Sequence, residues 1–277
     1  MTINVEKEYK SMFEDKTGIK EITNNLGVGE IFGFVSEFSD ASSEYTIDQW
    51  RSSRKTCRTK YVIEAMGNDY PREILKLSLA IDSAVNHMDD LLDENLDKGE
   101  KAYHVLELSK DIGFIRRQKI SEEQAKAIAN YLKDKIPVIG AGEGYYTSLI
   151  KNSTGEREVL KLGKKYYDIR SIDMDVFVEL PLLEIGIKGE EYNNIVNSGR
   201  IFRAIDLIGK DSKDMERDME NEVDTLLTIA KQKGLEPRVY ARKLADEYMN
   251  DFRKIKKEKN EIMNNFYEMS KKRITQF

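Results

Sequence analysis

Residues 74–93, ILKLSLAIDSAVNHMDDLLD, join a helix-length apolar run to three aspartates at its C-terminal end. The apolar residues recur on most sides of a helix, and a helix of that kind is buried in a protein core. Residues four apart on a helix share a face, so Asp89 and Asp93 point the same way, with Asp90 beside them. Carboxylates at the end of a buried helix cost free energy unless a ligand compensates them. The stretch therefore predicts a helical core with a ligated acidic end.

A divalent cation is the ligand that these aspartates favour, because crowded carboxylates repel one another unless a cation neutralises them. Hard, all-oxygen ligand sets suit Mg²⁺, which usually bridges one or two carboxylates to substrate phosphates. We expect Asp89, Asp90 and Asp93 to hold a metal-bound phosphorylated substrate. The alternative is a solvated acidic turn without a ligand.

The composition is that of an ordinary soluble protein and limits the classes of function. Hydrophobic residues make up 40% of the 277 residues and charged residues 34%, as in soluble globular proteins. The net charge of −5 argues against general nucleic-acid binding, which needs a basic surface. The single cysteine, Cys57, excludes an internal disulfide framework. No run approaches the roughly 18 apolar residues of a membrane span, so we expect no transmembrane segment and a cytoplasmic protein.

Helical periodicity extends along the chain, which has only four prolines and almost no strand-like alternation. No linker, repeat or low-complexity segment divides it. We therefore predict an all-α protein, a helical bundle forming one domain over residues 1–277. The predicted helices cover residues 3–16, 26–38, 44–66, 71–95, 100–117, 121–136, 138–152, 155–171, 174–188, 190–209, 212–233 and 237–272.

Two local patterns refine this helical assignment. Ser121 followed by Gln124 predicts a capping box at a helix start. Gly140, Gly142 and Gly144 have the spacing of a phosphate loop, but no strand precedes them and no Lys-Ser/Thr pair follows. A kinked helix is the favoured interpretation of the three glycines.

The segment of residues 54–104 resembles the trans-prenyl diphosphate synthases, members of the class I isoprenoid synthase superfamily. Its DDLLD run matches their first aspartate-rich motif, two aspartates followed after two residues by a third. Lys55 and Arg58 match an upstream lysine and arginine, three apart, that the resemblance assigns to diphosphate binding. Lys98, followed by glycine, and His104 lie close to where that family has a basic-glycine pair and a histidine.

Departures from that family concern the binding of isopentenyl diphosphate. Asp82 replaces a histidine or glutamine that helps to hold this second substrate, and a carboxylate there would repel its diphosphate. Asp97 stands where the family has one of two arginines. No second aspartate-rich pentapeptide follows, and its place is taken by a segment with Asp206 alone, followed by Asp211.

The second half of the chain instead resembles microbial terpene synthases of the same superfamily. Residues 167–174, YDIRSIDM, resemble the helix break at which those enzymes sense the substrate diphosphate. The resemblance implies that Arg170 is the diphosphate sensor and Asp173 the linking aspartate. It makes the backbone carbonyl of Met174 the effector group.

A segment around Asp206 resembles the second metal motif of the terpene synthases, although its ligands do not match residue for residue. The resemblance implies a metal bound by Asp206 with Asp211 or Asp214. It assigns phosphate contacts to Lys210, and to Arg273 of a C-terminal pair in which isoleucine replaces tyrosine.

The resemblance further implies that about three Mg²⁺ ions clamp the diphosphate of an allylic prenyl substrate while its carbon–oxygen bond ionises. The cation then reacts in a dry central apolar cavity, to which we assign Ala84, Val85, Phe177 and Phe202. Small side chains at positions 84 and 85 predict a long substrate, of about C15 to C20 or more.

Three functions remain open at this point. A terpene synthase, which cyclises or rearranges the cation, is the favoured one. A prenyl diphosphate synthase would instead condense the cation with isopentenyl diphosphate. A non-catalytic member would act as a partner subunit or prenyl-chain binder. A homodimer is common in the superfamily and is the oligomer that the resemblance allows.

Overall fold

A computed structural model describes residues 57–91, 96–255 and 260–275 of the chain. Every regular element within these ranges is a helix, so the all-α prediction is confirmed for them. None of the described helices is long and apolar enough to cross a membrane. The helices predicted over residues 3–16 and 26–38 lie outside the described residues.

The described residues fall into two compact groups. Residues 57–60 and 72–120 belong to the first group, and residues 61–71 and 121–275 belong to the second. Helix α1 spans Cys57–Met66, and the division falls within it. The assignment of residues 1–277 to one domain stays a prediction.

The first group contains the apolar helix that the sequence predicts to be buried. A 3₁₀ turn, Arg72–Ile74, leads into helix α2, Leu75–Leu91, and helix α3 spans Lys98–Arg117 and packs against α2. Helix α2 is buried on most sides, as its apolar pattern predicts, and Ala84 and Val85 are among its buried residues.

Asp97, which stands where the resembled family has an arginine, has a structural role at the start of α3. Its Oδ1 accepts a hydrogen bond from the Glu100 backbone N–H at 2.9 Å, and its own N–H donates to Glu100 Oε2 at 3.0 Å. This capping box satisfies backbone donors that the helix leaves unpaired. An arginine side chain at position 97 could not accept the hydrogen bond from the Glu100 backbone N–H.

The second group surrounds a long central helix, Gly189–Glu220. This helix packs against four others, which span Glu156–Arg170, Asp175–Glu184, Pro237–Ile255 and Glu261–Ile274. The elements of the group in chain order are a 3₁₀ turn Gly67–Asp69, α4 Glu122–Asn130, a π-helical turn Tyr131–Lys135, α5 Ile136–Asn152, α6 Glu156–Arg170, a 3₁₀ turn Ser171–Met174, α7 Asp175–Glu184, α8 Gly189–Glu220, α9 Leu226–Gln232, α10 Pro237–Ile255 and α11 Glu261–Ile274.

The one predicted cap is confirmed, whereas several predicted helix boundaries are wrong. The Ser121–Gln124 capping box is present. The helix predicted over residues 212–233 is divided, since α8 ends at Glu220 and α9 begins at Leu226. Helix α8 runs through the break predicted between residues 209 and 212, because Gly209 and Asp211 are both buried against neighbouring helices. The helix predicted over residues 237–272 is two helices, and α11 begins where the Asn260 side chain accepts from the Met263 backbone N–H.

The glycine run lies inside helix α5, which rules out a phosphate loop there. Gly142 faces helix α6 so closely that a Cβ built on it would lie 2.6 Å from Ile169 Cγ2. A Cβ on Gly140 or Gly144 would meet nothing within 4 Å. Gly142 is therefore needed for close packing of two helices rather than for ligand binding.

Replacing Gly142 with alanine should lower the free energy of unfolding by about 1–3 kcal/mol, because the added methyl overpacks the contact with Ile169. The matched Gly140→Ala change, in the same helix, should leave stability unchanged or raise it by about 0.5–1 kcal/mol. Urea denaturation of both variants measures the difference. Equal effects of the two changes would contradict the packing role of Gly142.

Candidate functional site

Asp89 and Asp90 are the part of the first acidic motif that the structure describes. They lie at the end of α2 as described, Asp89 exposed and Asp90 partly buried. Two adjacent carboxylates of this exposure fit a hydrated Mg²⁺, which binds through few carboxylates and keeps several waters. Asp93 and Lys55 lie outside the described residues, so their assigned roles stay predictions. Lys98 is the exposed first residue of α3.

Asp82, seven residues before the motif, is fully buried and paired with a cation. Arg58 Nη1 donates to Asp82 Oδ1 at 3.0 Å and to Asn86 Oδ1 at 3.2 Å, and the Thr59 backbone N–H donates to Asp82 Oδ2 at 2.8 Å. Burial raises the pKa of Asp82, and the neighbouring charge of Arg58 opposes that rise. Arg58 is itself only 7% exposed, so binding a diphosphate would require it to leave a buried carboxylate.

The two histidines of the chain lie side by side in the first group. His87 Nδ1 is 2.9 Å from His104 Nδ1, and His104 Nδ1 is 3.4 Å from Asp90 Oδ2. The Tyr103 ring packs edge-on against both imidazoles. The structure thus joins a residue of the acidic motif to nitrogen donors that the sequence analysis left without a role.

Four charged side chains form a continuous ladder in the second group. Asp173, in the 3₁₀ turn, accepts from Arg203 Nη2 at 2.7 Å, and Arg203 Nη1 donates to Asp206 Oδ2 at 2.8 Å. Arg273 Nε lies 2.8 Å from Asp206 Oδ1. The hydroxyl of Tyr61 donates to Asp206 Oδ1 at 3.2 Å and accepts from Arg273 Nη2 at 2.8 Å. The ladder joins three residues that the sequence analysis assigned to one site.

The partners of Asp206 decide how a metal could reach it. Arg203 occupies one carboxylate oxygen and has a side chain 7% exposed, whereas Arg273, on the other oxygen, has a side chain 28% exposed. Displacing the more exposed guanidinium costs less, because it regains more water. Asp206 therefore fits Mg²⁺ on condition that Arg273 moves to another anion, and a substrate diphosphate is such an anion.

Arg170, the assigned diphosphate sensor, belongs to a separate cluster. Its Nη1 donates to Asp211 Oδ2 at 2.6 Å, and its Nε lies 2.7 Å from Glu143 Oε1. The Tyr167 hydroxyl donates to the same Asp211 oxygen at 2.9 Å. Burial opposes the charged form of Arg170, but Asp211 and its other neighbours keep the pKa well above the ordinary arginine value. Burial and the adjacent Asp211 raise the pKa of Tyr167, so it remains a proton donor.

The remaining assigned residues of α8 lie towards its solvent face. Lys210 is exposed, and Asp214 is ion-paired with Arg217 at 3.0 Å. Burial raises the pKa of Asp218, one turn further along, despite the neighbouring Arg217. Asp206, Lys210 and Asp214 are four residues apart and share one helix face, whereas Asp211 contacts Arg170.

The residues assigned to a cavity are all buried in apolar surroundings. Phe202 packs edge-on against Tyr61 at a ring separation of 5.1 Å and also against Phe266, and Phe177 packs against Tyr131. Met174 is fully buried at the end of the 3₁₀ turn. The aromatic group around Phe202 therefore adjoins the ladder through Tyr61. A central cavity stays a prediction.

The sequence analysis missed Arg203 and the histidine pair. Arg203 lies three residues before Asp206 on a helix, a spacing that places two side chains on one face and was the available signal. His87 and Asp90 have the same spacing on α2, but His104 comes from another helix. Its position beside them follows from how α2 and α3 pack, which no local pattern encodes.

Comparisons of the chain with protein-family models, with curated proteins and with solved structures found no match. The resemblance to the isoprenoid synthases therefore rests on the sequence motifs quoted above.

Replacing Arg203 with methionine should lower the free energy of unfolding by about 3–5 kcal/mol, because it removes the buried cation that pairs with both Asp173 and Asp206. Methionine keeps roughly the apolar part of the arginine side chain, so the loss in free energy of unfolding measures the loss of the charge. Arg217→Met, on the same helix with an exposed ion pair, should have little effect. Chemical denaturation measures both, and comparable losses would show that the ladder has no special role.

Proposed function

We propose that this protein is a Mg²⁺-dependent class I terpene synthase that ionises an allylic prenyl diphosphate of about C15 to C20 or longer and cyclises or rearranges the cation. The observation that carries the proposal is the ladder. Asp173, Asp206 and Arg273 come from three distant segments that the resemblance assigns to one site. Arg203 pairs with both Asp173 and Asp206, and Asp206 pairs with Arg273.

The chain's own residues have defined roles in this proposal. Asp89, Asp90 and Asp93 are the ligands of the first metal motif, and Asp206 is the buried ligand of the second. When bound, Mg²⁺ supplies Lewis-acid stabilisation of the negative charge that develops on the leaving diphosphate. Arg273 moves from Asp206 to a phosphate oxygen.

Phosphate contacts and water exclusion complete the proposed site. Arg170 offers further charge-assisted hydrogen bonds to phosphate oxygens, which are the strong kind. Phe202 and Tyr61 contribute aromatic faces, each able to stabilise a desolvated cation by roughly 1–2 kcal/mol. Apolar walls are required because water would quench the cation.

Cyclisation is favoured over chain elongation by the state of Arg58. Elongation needs a second diphosphate-binding set, to which the resemblance assigns Lys55 and Arg58. Arg58 is held by buried Asp82 and by Asn86. Asp82 thereby neutralises the charge of Arg58, at a position where the family has a neutral or basic side chain that leaves the arginine available. Isopentenyl diphosphate would bind poorly to such a surface.

A non-catalytic prenyl-chain binder or partner subunit is the second candidate. Each carboxylate assigned to the second metal motif has an arginine partner: Asp206 has Arg203 and Arg273, Asp211 has Arg170, and Asp214 has Arg217. A site in which these pairs never open would not bind metal. This observation favours a structural role for the second motif.

The test incubates purified protein with C10 to C20 allylic diphosphates and Mg²⁺, with and without isopentenyl diphosphate. We expect diphosphate release and a cyclic or rearranged terpene without the C5 partner, and no activity after chelation of divalent ions. Asp89→Asn and Asp93→Asn should each abolish turnover. The matched Asp246→Asn change, at an exposed ion pair in α10, should not affect it.

Three results would contradict the proposed function. Longer prenyl diphosphates formed only with isopentenyl diphosphate would establish a prenyltransferase. Absence of diphosphate release from every allylic substrate would favour the non-catalytic binder. Turnover of the C10 substrate alone would contradict the predicted chain length.

A further inference from the structure

We propose that His87, His104 and Asp90 form a binding site for a divalent transition metal of the zinc type, distinct in ligand chemistry from the proposed magnesium sites. One ligand atom from each residue lies within 4.8 Å of those of the other two. All three residues belong to the first group of helices, so the site is complete within it. Its existence does not depend on the proposed terpene synthase activity.

The separations of the donor atoms match those around a shared ion. Zinc binds histidine nitrogen and carboxylate oxygen at about 2.0–2.2 Å, so two ligands at a tetrahedral angle lie roughly 3.3–3.5 Å apart and two at a right angle roughly 2.9–3.0 Å. The observed separations are 2.9 Å between the two Nδ1 atoms and 3.4 Å between His104 Nδ1 and Asp90 Oδ2.

The alternative for the two imidazoles is a hydrogen bond between them. In that arrangement one Nδ1 carries a proton and donates a hydrogen bond, and the other Nδ1 accepts this bond. In the metal-bound arrangement both Nδ1 lone pairs point at the ion, and each ring keeps its proton on Nε2. The two arrangements have similar heavy-atom positions, so the metal-binding measurement below distinguishes them.

The site is held by packing rather than left to flexible side chains. His87 and Asp90 are three residues apart on α2, and His104 projects from α3, which packs against α2. His87 is 4% exposed and His104 is 9% exposed. Tyr103 packs edge-on against both rings. Fixed donors bind more tightly because little conformational freedom is lost on binding.

The donor set selects the class of metal. Imidazole nitrogen suits zinc, copper, iron and nickel, whereas magnesium prefers oxygen ligands and retains its water. Of the four positions around a zinc ion, these described residues fill three, two with imidazole nitrogen and one with carboxylate oxygen.

The experiment titrates tag-free, chelator-treated full-length protein with Zn²⁺ and, separately, Co²⁺. We expect one ion per chain and, for Co²⁺, a visible absorption band of the nitrogen-ligated ion. His87→Gln and His104→Gln should each weaken binding by roughly 10-fold or more. Asp246→Asn, at an exposed ion pair in α10, is the control and should leave Zn²⁺ affinity unchanged.

A second measurement uses the unaltered protein and so does not depend on the folding of a variant. With only two histidines in the chain, ¹⁵N-histidine labelling yields two imidazole spin systems. Zn²⁺ should give both Nδ1 signals the large shift of a coordinated imidazole at one equivalent, whereas Mg²⁺, which prefers oxygen ligands, should not.

Unchanged imidazole signals with Zn²⁺, or equal Zn²⁺ affinity in the parent and both histidine variants, would overturn the proposal and leave a hydrogen-bonded histidine pair. Neither result bears on Mg²⁺-dependent diphosphate release, so failure here and failure of the proposed function are distinguishable.

Discussion

The pairing of buried charge is the constraint on which the second group of helices depends. Arg203 lies between two buried carboxylates, Asp173 and Asp206, and donates hydrogen bonds to both. Removing an ion from water costs several kcal/mol even after relaxation, so each member of the ladder requires the others. These ion pairs connect the 3₁₀ turn Ser171–Met174, α8 and α11. Tyr61 connects α1 to them, because its hydroxyl bonds to both Asp206 and Arg273.

The same ion pairs would allow the ladder to exchange its internal partners for a metal ion and a phosphate. Carboxylates that hold arginines can also hold divalent cations, and arginines released by that exchange can bind phosphate. The exchange would begin at Arg273, since its side chain is more exposed than that of Arg203. A Mg²⁺–diphosphate pair carries both partners that the exchange needs. Substrate binding alone would then rearrange the site, without any other ligand.

Local patterns in the sequence account for much of the helical fold. The apolar run of α2 predicts its burial, Ser121 predicts the start of α4, and the motif around Arg170 predicts the break that the structure shows as a 3₁₀ turn. These features depend on neighbours within a few residues. The continuity of α8 through Gly209 was not predictable in this way, because it depends on packing against other helices.

The candidate sites were predictable only in part, for a related physical reason. Single acidic and basic residues could be assigned from motifs, but their partners could not. Arg203 has no motif of its own, and its importance comes from Asp173 in another element. His104 gains a role only because α3 places it beside His87. Charged and metal-binding side chains act through distant partners, whereas helix formation is decided largely by nearby residues.

We propose that the ladder opens to bind a magnesium-bound diphosphate, and calorimetric titration with inorganic diphosphate tests this most directly. We expect diphosphate to bind in the presence of Mg²⁺ and not in its absence. Arg273→Gln should weaken that binding by roughly 10-fold or more, since a charge-assisted bond is lost, whereas the exposed Arg253→Gln change should not. Binding that is indifferent to Mg²⁺ and to Arg273, or no binding at all, would contradict the account.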